Sequence, residues 1–243
     1  MGMRPSELFH LFGDLNNLSG IGPKTVLNLK NLSIEKPRDF LFNLPFSVLD
    51  RLPVSSIRGV PASKIVTVEV LVKAHKIGRS RASAHRVTVQ DTEVSFQLVF
   101  FNARKEYLEN LLPVGERRII SGKLEFYDNI PQIVHPHHVK KINDEKAIVR
   151  FEPVYPLTSG ISQKLIFGTI TGLLEKLPQL GEWIDHELLK IKGWPSWQDA
   201  LKRAHCPISA DGASNTDPAR LRLAFDELFS HQLSLSIARN KIK

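Results

Sequence analysis

The chain has 243 residues, 42% of them hydrophobic and 24% charged, which suits a globular protein with a buried core. Its 33 Lys and Arg against 25 Asp and Glu leave a formal net charge of +8, which points to a polyanionic partner. A single cysteine, Cys206, excludes an intramolecular disulfide and a cysteine-rich zinc site. No apolar run approaches the ~20 residues of a membrane span, and the N-terminus lacks the apolar stretch of a signal peptide. A soluble, cytoplasmic protein with no membrane partner is expected.

The charge is unevenly spread. Residues 1–63 carry 7 basic and 5 acidic side chains, residues 64–141 carry 13 and 8, residues 142–200 carry 6 and 8, and residues 201–243 carry 7 and 4. Most of the excess lies in 64–141, so a polyanion site is sought there first.

Residues 1–63 form an N-terminal helical segment by pattern. Leu8, Phe9, Leu11, Phe12, Leu15 and Leu18 keep near-helical spacing until Gly20-Ile21-Gly22-Pro23 interrupts it. Helix resumes from Lys24 to Leu32, and a third short helix spans Pro37 to Leu44 before Pro45 stops it. Arg51 to Ser63 reads as a connector.

Residues 64–141 change period. Ile65 to Val72 is a β-branched run, Val87 to Val89 a second strand and Val94 to Phe101 a third. Arg104 to Leu112 is helical. Arg117 to Phe126 is a fourth strand, and Ile130 to Val139 a fifth, interrupted one. Three strands, a helix and two strands is the order of an OB-fold, a five-stranded barrel that often binds nucleic acid. Residues 142–243 return to helix: Gln163 to Leu177, Trp183 to Ile191, Trp197 to His205 with Ser196 as N-cap, and one from Pro218 to the end. The expected fold class is α+β: an OB barrel flanked by an N-terminal helical segment and a C-terminal helical connector.

Several constellations bear on chemistry. Leu18 to Lys24 reads equally as the turn of a helix-hairpin-helix motif, with Lys24 offered to a phosphate, or as a plain helix-helix turn. Pro23 between Gly22 and Lys24 excludes a Walker A loop, and no such loop occurs elsewhere, so no ATP site is expected in this chain. Lys76, Arg79, Arg81 and Arg86 lie on the loop joining the first two barrel strands, where they would neutralise phosphates. Phe101 and Tyr107 flank Arg104 and Lys105, and aromatics beside cations can stack bases; Phe100, its neighbour, is expected to pack in the core. Lys123, on the fourth strand, completes the basic set. His135, His137 and His138 have no nearby Cys, Asp or Glu, so proximity to phosphate is expected rather than a metal. Asp226, Glu227 and His231 read as the polar face of a helix, and no nucleophile signature points to hydrolysis.

These pieces, in this order, resemble the N-terminal portion of the RecG family of ATP-dependent DNA helicases. The carriers are Leu18 to Lys24, Asp39 to Pro45, Asp50-Arg51, Phe100-Phe101-Asn102, Pro113 to Glu116, Ser121-Gly122, His135-Pro136, Pro153 to Gly160 with Gln163-Lys164, and Asp226 to Phe229 with His231-Gln232. The resemblance implies that the barrel is a wedge domain, splitting strands at forks and Holliday junctions in DNA repair and recombination and stacking aromatics on junction bases. It implies a nucleoid-associated monomer that binds branched DNA. The ATP and Mg2+ sites would lie in helicase lobes following Lys243, so this chain alone would neither hydrolyse ATP nor unwind. The sequence departs from the family pattern where Ala103 to Glu106 intervenes before Tyr107. A second reading is an OB module that binds a protein, such as single-strand-binding protein, with little DNA affinity of its own.

Overall fold

The computed structural model describes residues 6–78 and 83–242. Two short 3₁₀ turns, Ser6–Leu11 and Leu15–Asn17, stand where the apolar spacing predicts one helix. Asp14 accepts from the Asn16 amide at 2.8 Å and starts the second turn afresh. Helix α1 is Pro23–Leu29 and α2 is Pro37–Phe42, the latter capped by Asp39, whose Oδ2 accepts from the Lys36 amide at 2.7 Å. Strand β1, Ser47–Val54, occupies part of the expected connector. Then follow β2 (Ile65–Lys76), β3 (His85–Gln90), β4 (Ser95–Phe100), α3 (Lys105–Leu111), β5 (Arg117–Tyr127), β6 (Ile130–Val134) and β7 (His138–Lys140). The chain ends with β8 (Phe151–Val154), α4 (Gln163–Leu174), α5 (His186–Lys192), α6 (Trp197–His205) and α7 (Pro218–Ile242).

The chain forms two compact units, residues 49–150 and residues 1–48 with 151–243. The change of texture in the sequence sets segments at 1–63, 64–141 and 142–243 instead. The difference arises because the first and last segments share one core.

In the 49–150 unit, β2 pairs antiparallel with β3, β3 with β4, and β5 with β6, while β4 and β6 run parallel. An antiparallel β2–β5 ladder closes the ring. That is the five-stranded OB barrel expected from the sequence. β1 adds parallel to the start of β2, and β7 adds to β5. β2 changes partner halfway. Ile65 to Val68 pair with β1, Leu71 to Lys76 pair with β3, and a bulge between Val72 and Ala74 absorbs the turn of direction. Val66, Val68, Val70, Val87, Val89, Phe96, Leu98, Ile120, Leu124 and Ile133 fill the interior, and α3 lays Leu108 against it.

The other unit joins both ends of the chain around Leu15, Ile21, Leu29, Phe40, Leu41, Tyr155, Ile166, Ile170, Leu173 and Leu201. A buried relay ties its pieces together. His205 lies 3.0 Å by Nδ1 from the Tyr155 hydroxyl and 2.9 Å by Nε2 from the Leu41 carbonyl. A carbonyl only accepts, so Nε2 carries the proton and Nδ1 accepts from Tyr155. Arg222, buried on α7, donates to Glu182 at 2.9 Å and to Asp226 at 3.0 Å. Asp226 therefore serves the fold rather than an exposed polar face. Among the described residues no helix is long and apolar enough to cross a membrane.

Candidate nucleic-acid interface

β4 and β6 are parallel neighbours, with Val99 paired to Val134, and both end at one rim of the barrel. Beyond Phe100 the chain turns through Asn102 at φ 56°, and beyond Val134 it turns through His135 at φ 45°. Asn tolerates this left-handed conformation better than most residues. The two exits and α3 border an open cleft of about 710 Å³, lined by Phe101, Arg104, Tyr107, His135, Pro136 and His137 among others.

Alternation along β4 decides which aromatic serves which role. Phe96, Leu98 and Phe100 share the inward face, and Phe100 is only 7% exposed. Phe101 is 47% exposed and Tyr107, on the first turns of α3, 59%. Exposed aromatic rings beside a guanidinium in an open cleft suit a stacked base. Arg104 ends the turn as the N-cap residue of α3, and its side chain is exposed. The cleft thus brings together Phe101, Arg104 and Tyr107 from the sequence-predicted set.

The rim is held from below. Arg51, 3% exposed, donates to Ser121 Oγ at 3.1 Å and lies 3.1 Å from His137 Nδ1. Thr67 donates to the same Ser121 oxygen at 3.0 Å. At Gly122 β5 passes close by: a Cβ there would collide with the Ile133 side chain and stand 3.3 Å from Pro136 Cα. The histidine segment that borders the cleft is expected from the sequence to lie near phosphate, but not beside Phe101. His-Pro-His between the end of β6 and the start of β7 is its signal, since proline removes a ladder donor and interrupts the strand there.

The basic residues distribute more widely. Lys76 and Arg86 stand opposite each other at the start of the β2–β3 connection. Arg79 and Arg81, expected on that connection, lie outside the described residues. Lys105 is exposed on α3 and pairs with Glu109 at 3.8 Å. Lys123 is exposed on β5 and pairs with Glu125 at 3.3 Å. Such exposed pairs contribute little to stability and are easily exchanged for a phosphate. Asp91 closes the β3–β4 turn. Burial alone would raise its carboxyl, but donors from Val94, Glu93, Ile57 and Ser56 outweigh it and hold the group below the usual carboxylate range.

Lys24 belongs to the other unit and is exposed on α1. The glycine turn before it works as a fold element. Gly20 sits at φ 78°, the Ile21 amide donates to the Leu18 carbonyl at 3.2 Å, and the Ile21 side chain is buried. α1 has seven residues and starts with Pro23, which supplies no N–H. This turn does not fit the triphosphate cradle of a nucleotide.

The family model of the RecG wedge domain matches residues 14–173. The chain belongs to the RecG wedge-domain family. It is 28% identical to the ATP-dependent DNA helicase RecG of Haemophilus influenzae over 235 residues, covering 93% of this chain and 33% of that protein. It is 27% identical to RecG of Thermotoga maritima, covering 97% of this chain and 30% of that one. A solved structure of RecG bound to a three-way DNA junction superposes with a TM-score of 0.73 at 26% identity, over 95% of this chain and 32% of that one. The chain thus spans about a third of the length of these RecG proteins, and the OB-type barrel and its helical companions are the part they share.

Proposed function

We propose that this chain is the branched-DNA-binding wedge region of an ATP-dependent DNA helicase that remodels forks and junctions in repair and recombination. The observation that carries the reading is the cleft that gathers Phe101, Arg104 and Tyr107 at one rim of the barrel. A three-way junction differs from duplex in offering unstacked bases at the branch. Aromatic faces gain about 1–3 kcal/mol per base stacked on them, a gain that intact duplex cannot offer. Lys76, Arg86, Lys105 and Lys123 supply the phosphate attraction that is blind to sequence. The barrel then acts as a solid obstacle: with a branch base stacked on Phe101 or Tyr107, the parted strands are kept from closing again. ATP and Mg2+ chemistry is assigned to the motor portion that the longer relatives carry. The likeness to a RecG structure with a three-way junction supports the choice of DNA substrate.

The test is a salt titration of the 243-residue chain against a three-way junction, a four-way junction and a duplex of equal length. Tighter binding to both junctions, falling linearly on a log–log salt plot, is the expected result. Equal affinity for junction and duplex at every salt concentration overturns the proposal. Tight capture of single-strand-binding protein with no DNA binding favours the protein-interaction reading instead.

A further inference from the structure

Phe101 and His135 are the first residues beyond two adjacent parallel strands, and they are bonded to each other. The His135 amide donates back to the Val99 carbonyl at 2.9 Å. The Phe101 amide donates to His135 Nε2 at 3.2 Å. The two rings lie 5.7 Å apart with a 40° tilt, while the edge of Phe100 meets the same imidazole at 6.1 Å and 84°. Nε2 is the acceptor in this pair, since a backbone amide can only donate. A histidine at φ 45° is a costly conformation that persists only where its surroundings over-determine it. Here they do: the Val99 carbonyl of β4 and the Phe101 amide just beyond it bracket the residue.

We propose that His135 is the positioning residue for Phe101. It takes the place of the strand partner that the Phe101 amide has lost, and its ring backs one side of the phenyl group. Phe101 is thereby ordered before DNA arrives, and a branch base meets a prepared platform rather than paying to order one. This role rests on the reading of Phe101 as a base-stacking residue.

Two substitutions both remove the ring and differ in where they place a hydrogen-bond acceptor. A glutamine carbonyl reaches about where Nε2 stands, and an asparagine carbonyl falls one methylene short while tolerating the left-handed backbone better than most residues. The experiment uses the 243-residue chain and a three-way junction carrying 2-aminopurine at the branch, read by fluorescence and by affinity. Phe101→Ala is expected to lose about tenfold in junction affinity and most of the fluorescence change. His135→Asn is expected to lose several-fold in both, and His135→Gln to recover most of it. In the Phe101→Ala background, His135→Asn is expected to change nothing further.

If Phe101→Ala binds as the parent does, the stacking reading itself fails. If Phe101→Ala is impaired while His135→Asn is not, the stacking reading stands and the positioning role falls. It also falls if glutamine is as poor as asparagine, or if the asparagine effect persists without Phe101. Thermal melting of each variant guards the outcome, since a change confined to binding is what a positioning residue predicts.

Discussion

Lys76 and Arg86 stand directly opposite each other in the β2–β3 register, on the face turned away from buried Val87 and Val89. Opposed residues of an antiparallel pair have Cβ atoms about 5 Å apart, so like charges there work against folding. A DNA phosphate would turn that repulsion into attraction. Arg86→Gln is therefore expected to raise stability by a few tenths of a kcal/mol, roughly, in thermal melts. The same variant should weaken junction binding and lower the log–log salt slope by about 0.9. A loss of stability with an unchanged slope would assign Arg86 to the fold instead.

Neighbouring phenylalanines should behave oppositely. Phe100 is buried among Val87, Leu98 and Ile133, whereas Phe101 is 47% exposed. Phe100→Ala should cost about 3–5 kcal/mol of unfolding free energy in urea denaturation. Phe101→Ala should leave the urea midpoint nearly in place and reduce only junction affinity. Similar midpoints for the two variants would contradict the alternation that separates them.

Gly122 lets β5 pass beneath the rim, where a Cβ would meet Ile133 and the Pro136 backbone. Gly122→Ala should cost about 1–3 kcal/mol through overpacking, read as a lower urea midpoint with an unchanged slope. The main obstruction is the Ile133 side chain, and the Pro136 Cα at 3.3 Å must give by a few tenths of an ångström, so junction affinity should fall with stability. A variant as stable as the parent would show that β5 and the rim do not press on each other.

The barrel was legible because its strands alternate. Val66, Val68, Val70 and Val72 announce a strand with one buried face, and three strands, a helix and two strands announce its closure. β1 was not legible. Pro53 and the mixed residues around it read as connector, and only the parallel ladder from Arg51 to Val54 makes them strand. The N-terminal leucines kept helical spacing yet formed 3₁₀ turns, because Gly13 and Asp14 break the run and Asp14 restarts it. Phe101 and Tyr107 were legible as aromatics flanking cations. That His135 would bond to Phe101 was not, since 34 residues separate the two and only the parallel β4–β6 pairing makes them neighbours. The shared core of residues 1–48 and 151–243 was hidden for the same reason: helical periodicity states which face is apolar, never which distant helix it meets.

The buried relay of Tyr155, His205 and Leu41 makes stability depend on pH in a defined window. Burial above all pushes His205 down from 6.5 to about 4, helped by the charge of Arg220 and opposed by the bond to the Leu41 carbonyl. In the unfolded chain His205 takes up a proton below pH 6.5, while in the fold it resists until about pH 4. The unfolded state thus binds more protons across that interval, and stability falls as pH drops through it. At 1.36 kcal/mol per pH unit the full loss is on the order of 3 kcal/mol, complete near pH 4 and absent above pH 7. His205→Gln removes the titrating group. It should be less stable than the parent at pH 7, because the Tyr155 hydroxyl loses its buried acceptor, at about 1–3 kcal/mol. The gap between parent and variant, measured by urea denaturation at half-unit steps, should narrow steadily from pH 6.5 to 4. A gap that stays constant across that range would mean that His205 does not resist protonation in the fold.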